Sequence, residues 1–441
     1  MAIAPHSSAL SQPRDPAWWC LIIPLALGVA AAWRLSLPSQ PFFDEIHYLP
    51  AAREVLHWWQ TGTGGWVNPE HPPLGKYLLA LGIALMGDDA IGWRIMPLIF
   101  GMTALGAGMR AMWHASASRF ACIAFGVLLA SGFALFVQTR IAMLDIFMAA
   151  FLLIAAWQFA AAIRQPETGR WRLAVTGVML GCAMASKWNA ALLAMLPGLT
   201  FLIARARAGR RRLFRSRRGA PVPGITLIEA CVWLGAVPLV VYALAFVPAY
   251  GMGTPLRPSL VSEHGLIGAQ IQMLHLQASV IEPHTYMSTW PQWVLNSRGI
   301  WYFYELADGS QRGVLLIGNP LTMLLGLPAL AWCALAGSAR RDAARLAAVI
   351  GYGVSLGLWV IAPKPVQFYY HYLMPGTFLL AALALTLADL RRSGQAGALL
   401  AWSVLGGSLA VFAWFLPILS AAPLAEGPMS FMRWMWLDSW R

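Results

Sequence analysis

The chain has 441 residues, of which 59% are hydrophobic and 11% charged, and it carries a formal net charge of +13. A water-soluble domain has about 25% charged residues, so this composition excludes an ordinary soluble globule. In a chain this apolar, the excess positive charge points to lipid headgroups rather than to nucleic acid.

A membrane-spanning helix needs roughly 20 mostly apolar residues. Stretches of that kind predict about eleven spans, near 17–36, 90–113, 119–138, 141–163, 172–186, 189–206, 222–249, 313–336, 344–362, 371–389 and 395–419. With the N-terminus in the cytoplasm, 19 of the 31 Lys and Arg residues fall on the cytoplasmic side. They are Arg14, Arg110, Arg119, Arg164, Arg170, Arg172, the eight arginines from Arg205 to Arg218, Arg340, Arg341, Arg345, Arg391 and Arg392. The positive-inside rule then places the C-terminus outside. The arginine-rich run 205–218 reads as a topology anchor, and the first span as an uncleaved anchor rather than a signal peptide. Cys20, Cys122, Cys182, Cys231 and Cys333 all lie in apolar stretches, without metal or disulfide spacing, and read as small buried hydrophobes.

The whole of 1–441 reads as one polytopic domain with two long outer loops, 37–89 and 250–312. After Pro50 apolar residues recur at helical spacing, and 265–281 shows a similar mixture; both segments suit helices lying in the interface plane. Seven of the nine histidines fall on the outer side. Polar residues gathered at outer loops and helix ends argue against a transporter, whose polar residues belong near the bilayer midplane.

Six strings carry candidate chemistry. PFFDEIHY (41–48) places Asp44 and Glu45 just after the first span; as neighbours they point apart, so one is a candidate base while the other holds local structure. In NPEHPPLGKY (68–77) two prolines fix a turn that holds His71 and Lys76 near the surface before a helix begins. In QTRIAMLDIFM (138–148) Arg140 and Asp145 are five residues apart and lie on different helix faces. Asp145 therefore needs a partner on another helix, whereas Arg140 is a candidate for contact with an anion. ASKWNA (185–190) puts Lys187 at a helix end, HTYMSTWPQW (284–293) offers His284, and PKPVQFYYHYLMPG (363–376) offers Lys364, Tyr370 and His371. A lone lysine at a helix end usually snorkels to the interface, but several cations converging on one face suggest an anion site.

The order FFDEIHY, EHPPLGK, R-x-x-x-LD, SKW, HTY-S-W, GNPLT (318–322) and FYYHYL resembles the protein O-mannosyltransferase family of GT-C membrane glycosyltransferases, over about residues 40–380. The resemblance implies an all-α integral membrane protein: a GT-C-type bundle of about eleven transmembrane helices, with interfacial helices in the two long outer loops. It implies a multi-pass enzyme of the plasma (inner) membrane that works on the outer face. The donor would be a polyprenyl-phosphate mannose and the acceptor a Ser or Thr hydroxyl of an exported protein, with membrane lipids around it and no nucleic acid. It makes Asp44 the general base, with Glu45 beside it in the catalytic motif. Arg140, Lys187 and His371, followed by Lys364 and Lys76, are assigned to the donor phosphate. His71, Asp145, His284 and Tyr370 shape the pocket. A single displacement would invert the sugar carbon. No metal or other cofactor is required, because cationic side chains can take the leaving charge; a zinc set from His264, His275 and an acid is the metal alternative. Two departures stand out: the 250–312 loop has no room for the β-trefoil MIR domain of eukaryotic members, and HTYMSTW differs from the usual HPYSS-like form. The nearest rival is a GT-C enzyme with another sugar, such as an aminoarabinose transferase acting on a glycolipid.

Overall fold

A computed structural model describes residues 14–441 except 210–212, 254, 255, 257, 258, 363 and 426. Arg210, Arg211 and Arg212 of the basic run therefore lie outside the described residues. Seventeen α-helices are present among the rest: α1 (Trp19–Ala32), α2 (Glu45–Thr61), α3 (Leu74–Met86), α4 (Ala90–Ser116), α5 (Arg119–Ala130), α6 (Ala134–Gln138), α7 (Leu144–Arg164), α8 (Gly169–Ser186), α9 (Ala191–Gly209), α10 (Leu227–Cys231), α11 (Val237–Ala245), α12 (Leu266–Ser279), α13 (Trp290–Val294), α14 (Pro320–Arg340), α15 (Ala343–Ile361), α16 (Leu373–Arg392) and α17 (Gln395–Leu419). Eight helical stretches are long and apolar enough to cross a membrane, and α1, α3 and α5 are shorter apolar helices. This is a multi-pass integral membrane protein, and every predicted span contains a helix.

Several spans differ from the expected continuous rods, each for a local reason. The stretch 119–138 breaks after α5 at Ser131–Gly132, where Phe133 takes φ 65°, and restarts as the short α6. Residues 232–236 form a π-helical segment between α10 and α11, next to Pro238, which lacks an N–H for the regular ladder. The first span stops at Ala32, because the chain turns at Arg34 (φ 62°). That turn is held by Arg140, whose guanidinium donates to the carbonyls of Ala31, Trp33 (2.7 Å), Arg34 (2.9 Å) and Ser420 (3.1 Å).

The all-α expectation needs one correction. Residues 300–316 form an antiparallel hairpin, β1 (Ile300–Ala307) and β2 (Ser310–Leu316), joined by Asp308-Gly309. Both linking residues have positive φ (49° and 72°), as a two-residue turn matched to strand twist requires. The eighth span accordingly starts not at 313 but at Pro320, where the Asn319 side chain caps α14 by accepting from Leu321 N–H (3.2 Å).

The expected loop helices are present as α2 and α12. Packing pairs α4 with α7 and α7 with α8, and α16 sits among α5, α14, α15 and α17 with most of its surface buried. Small residues allow the close approaches. A Cβ at Gly101 would lie 2.1 Å from Thr139 Oγ1, and one at Gly177 would lie 1.9 Å from the Trp233 carbonyl. The cysteines are free: Cys20, Cys122 and Cys333 are buried as expected, but Cys182 is half-buried and Cys231 exposed. In the basic run, Arg205 is buried and donates to the carbonyls of Val222 (2.7 Å) and Ile225, so it is a structural cap rather than a headgroup anchor.

Candidate active site

The sequence Phe42–Glu45 turns sharply because Phe43 has φ 52°, an uncommon conformation for a bulky residue. Aromatic packing locks it: the Phe43 ring lies 4.4 Å from Tyr302 and 6.1 Å from both Phe368 and Tyr370, centroid to centroid. The turn sends the two carboxylates opposite ways.

Glu45 goes into the protein. Its oxygens accept from Arg94 Nε and Nη2, both at 2.9 Å, and from the Phe42 and Ala142 amides at 3.2 and 2.9 Å. Both Glu45 and Arg94 side chains are fully buried. Arg94 also donates to the carbonyls of Leu35 (3.0 Å), Pro38 (2.8 Å) and Gln40 (3.3 Å). With four donors on its two oxygens, Glu45 holds the local structure, the part expected of one of the two neighbouring carboxylates, and is not free to take a proton in this arrangement.

Asp44 stays half-buried at the start of α2, with one hydrogen bond, from Tyr48 Oη at 3.3 Å. Burial raises its carboxyl above the ordinary range, against the opposing pull of Lys187, His47 and Lys364; Asp145 adds to the rise. These groups share one electrostatic neighbourhood drawn from distant parts of the chain. Asp145, in the first turn of α7, pairs with Lys187 Nζ at 2.7 Å, and both are buried. Asp145 thus has the partner on another helix that its position demanded. Lys187 ends α8 in an extended conformation, and its ammonium also sits 4.8 Å over the Tyr370 ring. Lys364 is the second cation of the group. Burial, with Lys187 adding to it, lowers its ammonium to about 8.

His371 stacks on Trp359 at 3.6 Å with a 13° interplanar angle. Its two ring nitrogens are buried and have no hydrogen-bond partner among the described residues. His371 lines a pocket together with Asp145, Asn189 and Tyr370. Leu192, Leu193, Val354 and Leu358 also line it. The lining thus mixes polar and apolar side chains.

His71 packs edge-on against Tyr48 at 5.8 Å, which brings it to the edge of the Asp44 site. Burial above all, then Lys187, Lys76 and Lys364, holds its imidazole well below the usual range, hence neutral near pH 7. His284 accepts from the Tyr286 amide (3.1 Å) and packs against Phe368, bracing the wall behind Tyr370.

Two expected phosphate cations serve elsewhere. Arg140 is consumed by the carbonyls of Ala31, Trp33 and Arg34 at the end of α1 and of Ser420 after α17, so it closes helix ends instead of facing the cluster. Lys76 donates to the carbonyls of Asn68, His71 (3.0 Å) and Val67 (3.4 Å) and lies 4.9 Å from the Trp66 ring, clamping the 67–71 turn. Among the described residues no three His, Cys, Asp or Glu side chains gather as a metal-ligand set, so the zinc set around His264 and His275 does not assemble. Sequence reasoning missed Arg94, Tyr48, Asn189 and Trp359. Arg94 carried a signal, since a buried arginine near a helix start requires an acid or carbonyls to meet it.

The chain is similar to known proteins in both sequence and fold. Residues 70–234 match the family described as dolichyl-phosphate-mannose-protein mannosyltransferase, and residues 263–440 match the C-terminal four-transmembrane region of protein O-mannosyltransferase. A polyprenol-phosphate-mannose–protein mannosyltransferase of Mycobacterium tuberculosis is 26% identical, covering 91% of this chain and 87% of that protein. One from Corynebacterium glutamicum is also 26% identical, covering 97% and 94%. In fold, the chain superposes on the Saccharomyces cerevisiae protein O-mannosyltransferase Pmt1-Pmt2 complex bound to the sugar donor, with TM-score 0.80, 14% identity and coverage of 98% and 94%. ArnT from Cupriavidus metallidurans bound to undecaprenyl phosphate gives TM-score 0.58 at 14% identity, over 92% of this chain and 77% of that one.

Two outcomes test the assignments. Glu45→Gln leaves Arg94 buried without its full counter-charge; stability should fall by about 3–5 kcal/mol, read as thermal unfolding in detergent. The pH profile of kcat/KM should show an acid limb above the ordinary carboxylate range, where protonation of Asp44 removes the base. It should also fall as pH rises through about 8, where Lys364 loses its charge. Lys364→Arg, charged throughout, should hold the profile level beyond that point; a parent profile flat well above pH 8 would dismiss Lys364.

The two family matches together span most of the chain and the fold agrees end to end, so this chain belongs to the protein O-mannosyltransferase family.

Proposed function

We infer that the chain transfers mannose from a polyprenyl-phosphate donor to the hydroxyl of Ser or Thr in an exported protein. The observation that carries this reading is the shared neighbourhood of Asp44, the Lys187–Asp145 pair and Lys364 beside a pocket lined by both polar and apolar side chains.

The chemistry follows from that arrangement. The lipid donor cannot leave the bilayer, so its prenyl chain runs along the apolar residues of the cavity while the phosphate meets Lys187, Lys364 and His371. Mannose then projects toward Asp44. Departure of the polyprenyl monophosphate adds negative charge to the phosphate, and two ammonium groups in a water-poor site stabilise that charge where it develops. Asp145 holds Lys187 in place and limits its reach. Asp44, with its carboxyl raised by burial, takes the proton from the attacking hydroxyl; general-base help of this kind is worth about 10²–10⁴-fold. Attack opposite the phosphate inverts the anomeric carbon. His71 and Tyr48 line the approach, and neutral His71 adds no charge that would compete for the phosphate.

The charge count supports a cytoplasmic N-terminus, with the active site, both long loops and the C-terminus on the outer face of the inner membrane. That placement gives the acceptor site access to exported chains.

A donor panel tests the reading. Purified protein in lipid vesicles is supplied with mannosyl, glucosyl or aminoarabinosyl polyprenyl phosphate and a Ser/Thr-rich peptide. Mass spectrometry should find a hexose on Ser or Thr with the mannosyl donor alone. Transfer only from the aminoarabinosyl donor, or only to a glycolipid, contradicts it.

A further inference from the structure

Residues 369–372 form one turn of 3₁₀-helix that presents Tyr370 to Lys187 and His371 to the cavity. In such a turn residues i and i+3 eclipse, so Tyr369 and Tyr372 share the face away from those two. Each is tethered by its hydroxyl. Tyr372 Oη lies 3.0 Å from Tyr352 Oη, and Tyr369 donates to Asn296 Oδ1 at 2.6 Å.

Asn296 is unusually committed. It is 2% exposed and held in the left-handed region at φ 53°, which asparagine tolerates better than most residues. Its Nδ2 donates to the Gly318 carbonyl (2.9 Å), and its Oδ1 accepts from Gly318 N–H (3.0 Å) as well as from Tyr369. Its own carbonyl accepts from Trp440 Nε1 (2.9 Å), near the C-terminus. Gly318 must lack a side chain: a Cβ there would meet Tyr369 Oη at 2.5 Å and Met323 Cγ at 2.4 Å. Asn319, the next residue, donates to the carbonyls of Ser131 and Ser408, both at 3.0 Å, which ties the junction to the ends of α5 and to α17. The GNPLT string thus makes a fixed seat, and Asn296 carries that seat to the turn bearing Tyr370 and His371.

We propose that Asn296 is a positioning residue for glycosyl transfer, acting through the Tyr369 hydroxyl to set the turn that presents Tyr370 and His371 to the donor headgroup. This rests on the function proposed above. Removing the Tyr369 hydroxyl leaves the ring in place but frees the turn to rotate, and displacements of about 1 Å at a reacting centre cost up to about 10²-fold in rate.

The test is a double-mutant cycle of Tyr369→Phe and Asn296→Leu, read with mannosyl polyprenyl phosphate and a Ser/Thr peptide, with thermal unfolding measured alongside. Tyr369→Phe should raise donor KM or lower kcat at saturating acceptor by about 10-fold, with acceptor KM within about twofold of the parent. The double variant should be no worse than Asn296→Leu alone, because both changes break one bond. Kinetics within about twofold of the parent, effects of the two changes that multiply, or a lowered melting temperature without a kinetic change would each overturn the proposal. If Asn296→Leu does not fold, the isosteric Tyr369→Phe decides alone. A parent that turns over the mannosyl donor, with an unaffected Tyr369→Phe, removes this inference only; a parent inactive with that donor removes the function and this inference together.

Discussion

A single buried ion pair, Glu45 with Arg94, anchors the turn from which Asp44 projects. The pair gathers the carbonyls of Leu35, Pro38 and Gln40 and the amides of Phe42 and Ala142 around two fully buried charges. Buried charges are costly unless every donor and acceptor is met, and here they are. The second constraint is the positive φ of Phe43, which turns the chain just before the half-buried Asp44 and the fully paired Glu45. Such strain persists only where surrounding contacts over-determine it, and the Tyr302, Phe368 and Tyr370 rings do so.

Around that fixed point the charges are balanced. Asp44 and Asp145 are set against Lys187 and Lys364, so the site without donor is close to neutral, and an anionic phosphodiester arrives with at least one ammonium not already neutralised by Asp145. This explains why a site deep in an apolar protein can keep its charges: each has a counterpart nearby. It also gives the site two titrating edges, one from the buried carboxyl and one from the depressed Lys364. His371, whose ring nitrogens have no hydrogen-bond partner among the described residues, lines the neighbouring pocket.

Much of this was legible in the sequence, and the rest fails for identifiable reasons. Runs of apolar residues locate the helices, since length and hydropathy suffice for that. Asp145 announced its need for a partner, because an acid in apolar sequence must be paired. Asp44 and Glu45 were legible as one base and one holder, but adjacency alone does not say which; Arg94 decides it. Arg140 and Lys76 misled because a cation that serves backbone carbonyls looks, in sequence, the same as one that serves a phosphate. Carbonyls carry no side-chain signature, so only the folded structure separates the two roles. The hairpin at 300–316 was hidden differently. Its Asp308-Gly309 turn signal is plain, yet the apolar run that continues into α14 reads equally well as the start of a helix.

The central claim is that Asp44 acts on the acceptor proton and has no structural duty. The most direct measurement is single-turnover transfer by purified Asp44→Asn protein, with donor binding and thermal unfolding recorded on the same sample. Donor affinity and melting temperature should stay near those of the parent, while the transfer step slows by about 10²-fold or more. Transfer at the parent's rate would contradict the account, and so would a loss explained wholly by unfolding.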